Sequence, residues 1–453
     1  MMRIFKALTI AGSDSGGGAG IQADLKTFSA LGVFGMSVIT SITAQNTREV
    51  LAIHDVPPDV IKLQIKAVVE DIGVDAAKTG MLRTSEIIKA VAGEVKNYDF
   101  PLVVDPVMIA KSGAPLMDPE ARETLIKELL PLAKVVTPNL NEAKALTNMD
   151  IKNVEDMKKA AKMIVEKYGC EAAIVKGGHV EVGEEAIDVM YWNGEYYFYK
   201  TPRIDSKNTH GTGCTFSAAI AAELAKGQPL SKAVEKAKKF IYLAIKFGLD
   251  IGQGFGPVNH MASLYREAER YKKYRKILGL LDIIESEEGL AKLVPEVGMN
   301  IAIALDYAVD SSDVIAIPGR IRPVMGRAKA AGCPDFGVSR HLASYILVAR
   351  EYDPEINSAI NIKYNEGILR ELERMGLKIS YYERTQEPEE IKKIEGMSIP
   401  WGTREAIKRL GEVPDVIYHR GDIGKEPMIV LLGKDPEKLV KILIELSKRL
   451  DKK

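Results

Sequence analysis

The chain has 453 residues, too many for a single hydrophobic core, and reads as two or three domains. Its 62 Lys and Arg balance 62 Asp and Glu, so no global field draws it to nucleic acid or an anionic membrane, and any anionic ligand needs a locally built site. Three scattered cysteines, Cys170, Cys214 and Cys333, exclude a disulfide framework or a zinc site; with no signal-like apolar core and no run long enough to span a bilayer, a reducing cytoplasm is expected.

In chain order, the first predicted strand, Ala7–Ala11, runs into the glycine-rich turn Gly12-Ser13-Asp14-Ser15-Gly16-Gly17-Gly18-Ala19-Gly20 and then into a helical pattern. Such a turn can bind an anion or merely let the chain turn through positive φ. Further strands are predicted at Leu102–Val107, Val135–Thr137 and Ala172–Lys176, alternating with helices as in a layered α/β fold with a largely parallel sheet. Asp105, Asn139 and Lys176 then lie at or just beyond strand ends, where open α/β sheets place ligands. A carboxylate at Asp105 is costly unless it meets a cation or a partner, a turn or N-cap role being the alternative. Asn139-Leu140-Asn141-Glu142 offers two oxygen donors at helical spacing, as Mg²⁺ with its waters would use. Lys176, followed by Gly177 and Gly178, suits a phosphate.

The runs Ala186–Trp192 and Glu195–Tyr199, joined by Asn193-Gly194, predict an antiparallel hairpin. A second glycine-rich turn, His210-Gly211-Thr212-Gly213-Cys214, opens a predicted helix from Thr215 to Lys226, so its backbone N–H groups can bind an anion at a helix N-terminus. Beyond Pro257 a charged helix is predicted at Leu264–Ile277, its acids and bases mixed, as a connector.

A second α/β pattern follows. Strands are predicted at Asn300–Tyr307, Asp313–Ile317, Ala359–Tyr364, Lys378–Tyr382 and Met428–Leu432, and helices at Arg340–Glu351, Glu366–Met375, Thr403–Leu410 and Pro436–Leu450. Arg320, Arg322, Arg327 and Arg340 fall within one predicted strand-turn-helix unit, with Ser339 placed to cap the helix that presents His341. Arginine forks match phosphate geometry, a solvated basic face being the alternative.

The first region resembles the ribokinase-like superfamily, specifically the hydroxymethylpyrimidine/phosphomethylpyrimidine kinases of thiamine biosynthesis. The resemblance runs from Leu8 to about His260 and rests on Leu8–Phe28, Thr43-Ala-Gln-Asn46, Lys78-Thr-Gly-Met-Leu82, Ala110-Lys-Ser-Gly113, Thr137–Ala143, Lys176-Gly-Gly-His179 and Asn208–Cys214. Generic sugar kinases carry an aspartate where this chain has Cys214. The resemblance implies a three-layer α/β/α kinase domain over 1–260, ATP and Mg²⁺ as cofactors, and a homodimer or higher homo-oligomer. It places Asp24 and Gln45 on the aminopyrimidine, with Gly12, Met81 and Val107 completing the pocket. Lys176, Thr209, Gly211, Thr212 and Gly213 are expected on the ATP phosphates, and Asp105, Asn139 and Glu142 at the metal. Cys214, at a helix N-terminus where the dipole favours a thiolate, is the expected general base, a buried structural cysteine being the alternative. The acceptors implied are hydroxymethylpyrimidine and then its monophosphate, and a pyridoxal-type acceptor is the rival.

Behind a connector at 261–278, the region 279–453 resembles the archaeal-type thiamine-phosphate synthase domain, a second, smaller α/β domain. The carriers are Ile317-Pro-Gly-Arg-Ile321, Gly332–His341, Ala359–Tyr364 and Pro414–Asp422. The implied reaction joins the pyrimidine methyl diphosphate to thiazole phosphate and releases pyrophosphate. Arg320 and His341 are expected to be catalytic as partners of that leaving group, with Arg322, Arg327 and Arg340 as further phosphate contacts. Asn361, Lys363, His419, Arg420 and Asp422 are candidates for orienting the thiazole phosphate or the pyrimidine. The rival is a non-catalytic sensor of thiamine phosphates. Neither reading calls for nucleic acid or a membrane.

Overall fold

A computed structural model describes residues 3–111, 113–178, 184–422 and 424–451. Ser112 and His179, quoted in two of the motifs above, lie outside the described residues. The chain divides into two compact units, Met1–Leu264 and Tyr265–Lys453.

In the first unit the described residues build one sheet in the order Val50–Asp55, Phe34–Gln45, Lys6–Asp14, Ala76–Thr79, Leu102–Val104, Val135–Val136, Ala172–Lys176, Glu185–Trp192, Glu195–Pro202. The six strands from Phe34–Gln45 to Ala172–Lys176 pair in parallel. The edge strand Val50–Asp55 and the hairpin at the other side are antiparallel. Neighbouring residues on one strand point to opposite faces. Thus Ala7, Ala76, Val135 and Ala172 pack in one core beneath the helices Thr212–Ala225 and Leu230–Lys246. Their successors Leu8, Ala77, Val136 and Ala173 pack in another, with Ile61, Ile65, Ile87, Ile88 and Val91 of the helices Pro58–Asp71 and Ser85–Val95. Two cores on one sheet make the three-layer α/β/α architecture, and strands buried on both faces explain the unbroken apolar runs. Strand Leu102–Val104 stops three residues short of its expected end, at Asp105-Pro106.

In the second unit the sheet order is Asp335–Phe336, Val314–Ala316, Asn300–Ala304, Ser358–Lys363, Met428–Gly433, Val416–His419, Ile379–Tyr381, with only the last pair parallel. Alternation again feeds two cores: Ile301, Ile303, Ile360, Ile429 and Leu431 face one, Ala302, Ala304, Ala359, Val430 and Leu432 the other. The expected connector is part of one helix, Ala262–Ser286, whose Ile277, Leu280, Leu281 and Ile284 are buried in the first of these cores. Between Val314–Ala316 and the helix Arg340–Ala349 the chain forms a hairpin, Ile321–Val324 with Arg327–Ala330, so the arginines do not share a simple strand-turn-helix unit.

Candidate functional site

The two glycine-rich turns, almost 200 residues apart, are pressed together. Asp14, the last residue of the strand Lys6–Asp14, organises the first: its Oδ1 accepts from the N–H of Gly16 at 2.8 Å, and its Oδ2 from Gly18 at 3.1 Å and Ala19 at 2.8 Å. His210 of the second turn places Nε2 2.9 Å from the same Oδ2. Burial opposes ionisation of Asp14, but the bonds from His210, Ala19 and Gly16 hold its carboxyl below the usual range. A Cβ on Gly211, whose φ is +81°, would stand 1.9 Å from the Gly18 carbonyl oxygen, and one on Gly18 would stand 2.4 Å from the His210 ring. Only glycines allow this approach. Sequence reasoning gave Asp14 and His210 no role. Their signal was their place inside the two turns.

Beside these turns opens a cleft of about 1120 Å³. Gly12, Gln45, Met81 and Val107, expected at the pyrimidine, line it together with Thr209, Gly211, Thr212, Gly213 and Cys214. Gly211 is the N-cap of the helix Thr212–Ala225; Thr212 N–H donates back to the Thr209 carbonyl at 3.3 Å, and Gly213 and Cys214, next in the first turn, line the cleft. The Thr212 hydroxyl bonds the Thr209 carbonyl at 2.7 Å and tightens the turn.

Asp24 is not on the cleft wall. The buried face of the helix Gly20–Ala30 carries it inward, fully enclosed, where its Oδ2 accepts from Thr9 Oγ1 at 2.6 Å and Lys78 Nζ at 2.8 Å. Lys78, to which the sequence assigned no role, lines the cleft in its place.

Asp105, Glu142 and Lys176 meet on another stretch of the wall. Asp105 Oδ1 accepts from Lys176 Nζ and Thr137 Oγ1, both at 3.0 Å. Asn139 and Glu142 do not form a donor pair on one helical face; they form a capping box for the helix Leu140–Thr147. Asn139 Oδ1 accepts from Glu142 N at 2.9 Å, and Glu142 Oε2 from Asn139 N at 2.7 Å. Asn139 is thereby spent as an N-cap. Burial pushes the Glu142 carboxyl up to about 7, with Lys176 pulling it down and Asp105 pushing it up. Among the described residues no group of three or more His, Cys, Asp or Glu could hold a metal ion unaided. Mg²⁺ asks for less, one or two carboxylates with waters and phosphates, and a carboxyl held back by burial beside a second carboxylate suits that cation.

Cys214 lies half-buried in the first turn of its helix. Burial pushes its thiol up to about 11; Lys78 pulls it down, while Asp24 and Asp105 push it up. The expected thiolate is therefore corrected to a thiol at neutral pH, because desolvation outweighs the helix dipole here.

The second unit has its own cleft, of about 670 Å³, lined by Asn300, Arg320, Arg322, Ser339, Arg340 and His341 among others, with no acidic residue among the described residues that line it. Arg320 has φ +68°, rare for a side-chain-bearing residue, and its Nη1 donates to Val297 O at 2.8 Å; Arg322 Nη1 donates to Glu296 O at 2.8 Å. Carbonyl partners hold these forks without cancelling their charge. Asn300, unforeseen, ties the loop to the sheet by exchanging bonds with Ile317 at 2.9 and 3.0 Å.

Arg327 leaves the group. It stands at the turn end of the hairpin, paired with Glu288 at 3.1 Å and bonded to Ser286 O. Ser339 is the N-cap by position but makes no side-chain capping bond. Burial, then Arg320 and Arg384, push the His341 imidazole down to about 4, so it acts as a neutral ring rather than a cation. Asn361 is structural: its amide donates to Gly298 O at 3.0 Å and accepts from Asn300 N at 2.7 Å. His419 is buried, pushed down to about 3 by burial, Arg384 and His341, and packs on Tyr382. Lys363, Arg420 and Asp422 are also off the wall, Arg420 reaching Tyr364 Oη at 3.3 Å.

Comparison with known proteins agrees with this division. Residues 14–259 match the family model described as phosphomethylpyrimidine kinase, and residues 278–445 the one described as thiamine-phosphate synthase ThiN. The hydroxymethylpyrimidine/phosphomethylpyrimidine kinase of Haemophilus influenzae is 50% identical over 266 residues, 58% of this chain and 98% of that protein. The thiamine biosynthesis bifunctional protein ThiED of Geobacter sulfurreducens is 50% identical over 255 residues, 56% of this chain; the match spans only about half, 52%, of that relative's length. A Bacillus subtilis pyridoxal kinase solved as an ADP complex is 43% identical with a TM-score of 0.54, covering 58% of this chain and 99% of that one. The chain belongs to the phosphomethylpyrimidine kinase family and carries, behind the kinase, a region of the ThiN thiamine-phosphate synthase type.

Proposed function

We propose that the first unit uses ATP to phosphorylate 4-amino-5-hydroxymethyl-2-methylpyrimidine and then its monophosphate, and that the second joins the resulting diphosphate to thiazole phosphate, yielding thiamine phosphate and pyrophosphate. One observation carries the kinase reading: the juxtaposed glycine turns bring the Gly211–Gly213 amides and Cys214 into one cleft with Gln45 and Met81.

In the first step the small fraction of Cys214 that is ionised at neutral pH takes the proton of the hydroxymethyl group at Sγ, while the hydroxymethyl oxygen attacks the γ-phosphorus and the bond to the β-phosphate breaks. The loop amides and Lys176 stabilise the charge on the transferring phosphoryl. Gln45 presents a side-chain amide that can pair with the ring nitrogen and amino group. Asp105 and Glu142 would hold Mg²⁺, which when bound supplies neutralising charge between the phosphates.

In the second unit the carbon–oxygen bond to pyrophosphate breaks with its electron pair, the 4-amino group pushes electrons toward the methylene, and the thiazole nitrogen forms the new bond. Arg320, Arg322 and Arg340 meet the departing charge bidentately, and neutral His341 donates a ring N–H.

Full-length protein supplied with hydroxymethylpyrimidine, ATP, Mg²⁺ and thiazole phosphate is expected to form thiamine phosphate. Phosphorylation without thiamine phosphate, even from supplied diphosphate, would make the second unit a sensor. Pyridoxal belongs in the same assay, since the solved relative is a pyridoxal kinase.

A further inference from the structure

Arg320 precedes the strand Ile321–Val324 and Arg322 lies on it, and both line the second cleft. A long side chain at such an open position ordinarily swings between rotamers. Here one terminal nitrogen of each is tied down, Arg322 Nη1 to Glu296 O and Arg320 Nη1 to Val297 O, both at 2.8 Å. Both carbonyls belong to one turn, Pro295-Glu296-Val297-Gly298, closed by the Gly298 N–H on Pro295 O at 2.9 Å. The turn runs directly against the arginines: a Cβ on Gly298, whose φ is +97°, would stand 3.1 Å from Arg320 Cβ and from Arg322 Cζ. The aim of both guanidinium groups is therefore only as definite as this turn.

One carboxylate fixes the turn. Glu426, just ahead of the strand Met428–Gly433, lies 130 residues along the chain from Glu296. Its Oε1 accepts the Glu296 N–H at 2.8 Å and its Oε2 the Val297 N–H at 2.9 Å. Glu426 is not among the residues that line the cleft. A surface glutamate would be satisfied by water; this one commits both oxygens to two successive amides.

The covalent order of the peptides makes two relays of these bonds. Glu296 C=O and Val297 N–H are the two ends of one planar peptide unit, so Glu426 Oε2 and Arg322 Nη1 sit on opposite ends of it. The other oxygen works through two units. Glu296 N–H shares a unit with Pro295 C=O, which accepts from Gly298 N–H; that amide in turn shares a unit with Val297 C=O, the partner of Arg320. Each carboxylate oxygen thus ends on one arginine. An anionic acceptor on a peptide N–H strengthens the C=O at its other end, and the bonds of such a chain reinforce one another.

We propose that Glu426 is a positioning residue for the departing pyrophosphate: through the peptides of this turn it holds Arg320 and Arg322 in the orientation in which their remaining N–H groups meet the leaving group. This rests on the reading of the second unit as a synthase. A guanidinium has several N–H donors, and the bond to the turn spends one of them. Forks set before charge develops need no reorganisation as the carbon–oxygen bond breaks. A carboxylate touching the arginines would steady them equally well but would take the place of the anion. Acting through peptides, Glu426 leaves that place open.

The test follows thiamine phosphate formation by the full-length protein from supplied pyrimidine diphosphate and thiazole phosphate. Glu426→Gln keeps one acceptor oxygen but sets an NH₂ group against a backbone N–H, so one relay is broken. It is expected to lower kcat about 10- to 100-fold and to leave KM for thiazole phosphate unchanged. In an Arg322→Lys chain, which has no fork to hold, the same change is expected to cost at least about three-fold less, because residues that act through one another are not additive. Glu426→Asp keeps both acceptors one methylene short; it is expected to lose less than Glu426→Gln, and it carries the same comparison if that variant does not fold. Equal losses in the wild-type and Arg322→Lys chains, a loss confined to KM for thiazole phosphate, or a kcat within about two-fold of wild type in both variants overturns the inference. Wild-type protein that forms no thiamine phosphate overturns the synthase reading itself.

Discussion

Gly211→Ala tests whether catalysis depends on the contact between the two glycine turns. The added Cβ would lie 1.9 Å from the Gly18 carbonyl oxygen and 2.9 Å from its carbon. Against an ordinary contact of about 3.5 Å, the turns must part by roughly 1.6 Å. Neither side yields cheaply, because Gly18 is backbone clamped by Asp14 and Gly211 is the N-cap of a buried helix. The φ of +81° adds about 1–2 kcal/mol for an alanine. A displacement of that size at the amides that receive the phosphoryl group is worth about 10²-fold or more in rate. The assay is ADP release with hydroxymethylpyrimidine as acceptor, beside thiamine phosphate formation from supplied diphosphate and thiazole phosphate. The first is expected to fall about 100-fold and the second to stay unchanged. ADP release within a few-fold of wild type would refute the claim that the turns' contact positions the loop.

Cys214→Ala is expected to lower alcohol phosphorylation by about 10²–10⁴-fold while calorimetry shows hydroxymethylpyrimidine still bound; near-wild-type turnover would remove its role as base. Arg320→Lys and His341→Ala are expected to cut synthase turnover without touching kinase rates, whereas Arg327→Ala, turned toward Glu288, should leave both intact. Glu142 predicts a pH effect with a definite sign. Its folded pKa, about 7, is raised above the usual 4.5, so its contribution to stability is complete below pH 4.5 and is lost as pH rises through 7. Without Mg²⁺ the kinase unit's melting temperature should fall as pH rises from about 4.5 to about 7 and level off above that. Glu142→Gln should flatten that dependence, and an unaltered slope in the variant would show that another group titrates.

The fold of the first unit was legible because its strands are buried on both faces, and a run such as Leu102-Val103-Val104 admits few other environments. The second sheet was legible as strands but not as mainly antiparallel, since pairing direction leaves little mark on short runs such as Val314–Ala316. The short hairpin Ile321–Val324 with Arg327–Ala330 and the strand Val416–His419 went unseen because arginines, Pro323 and His419 mask their alternation. At the kinase site, residues on the glycine turns were found because such turns have few uses. What stayed hidden were partnerships across the chain: Asp14 with His210, and Asp24 with Lys78. Asn139-x-x-Glu142 shows the converse failure, since one spacing serves a cation site and a capping box equally and only the backbone decides between them.

The two clefts handle anions by opposite means, and this follows from what each must release. In the kinase unit Lys78, Lys176 and Lys238 line the cleft and pair with Asp24, Asp105 and Asp188, which leaves backbone N–H groups at the helix start a large share of any attraction for phosphate. A site of that kind suits a nucleotide that arrives with its own cation and must leave as ADP, because uncompensated positive charge would bind product as tightly as substrate. In the second unit Arg320 and Arg322 are held by the carbonyls of Val297 and Glu296, and among the described residues no acidic one lines the cleft. Their charge is therefore uncompensated, which places the strongest attraction where negative charge builds as pyrophosphate departs. With 62 basic and 62 acidic residues overall, the protein has no net field to supply this contrast, so it is set by the partners of the cations on each cleft wall: carboxylates for Lys78 and Lys176, backbone carbonyls for Arg320 and Arg322.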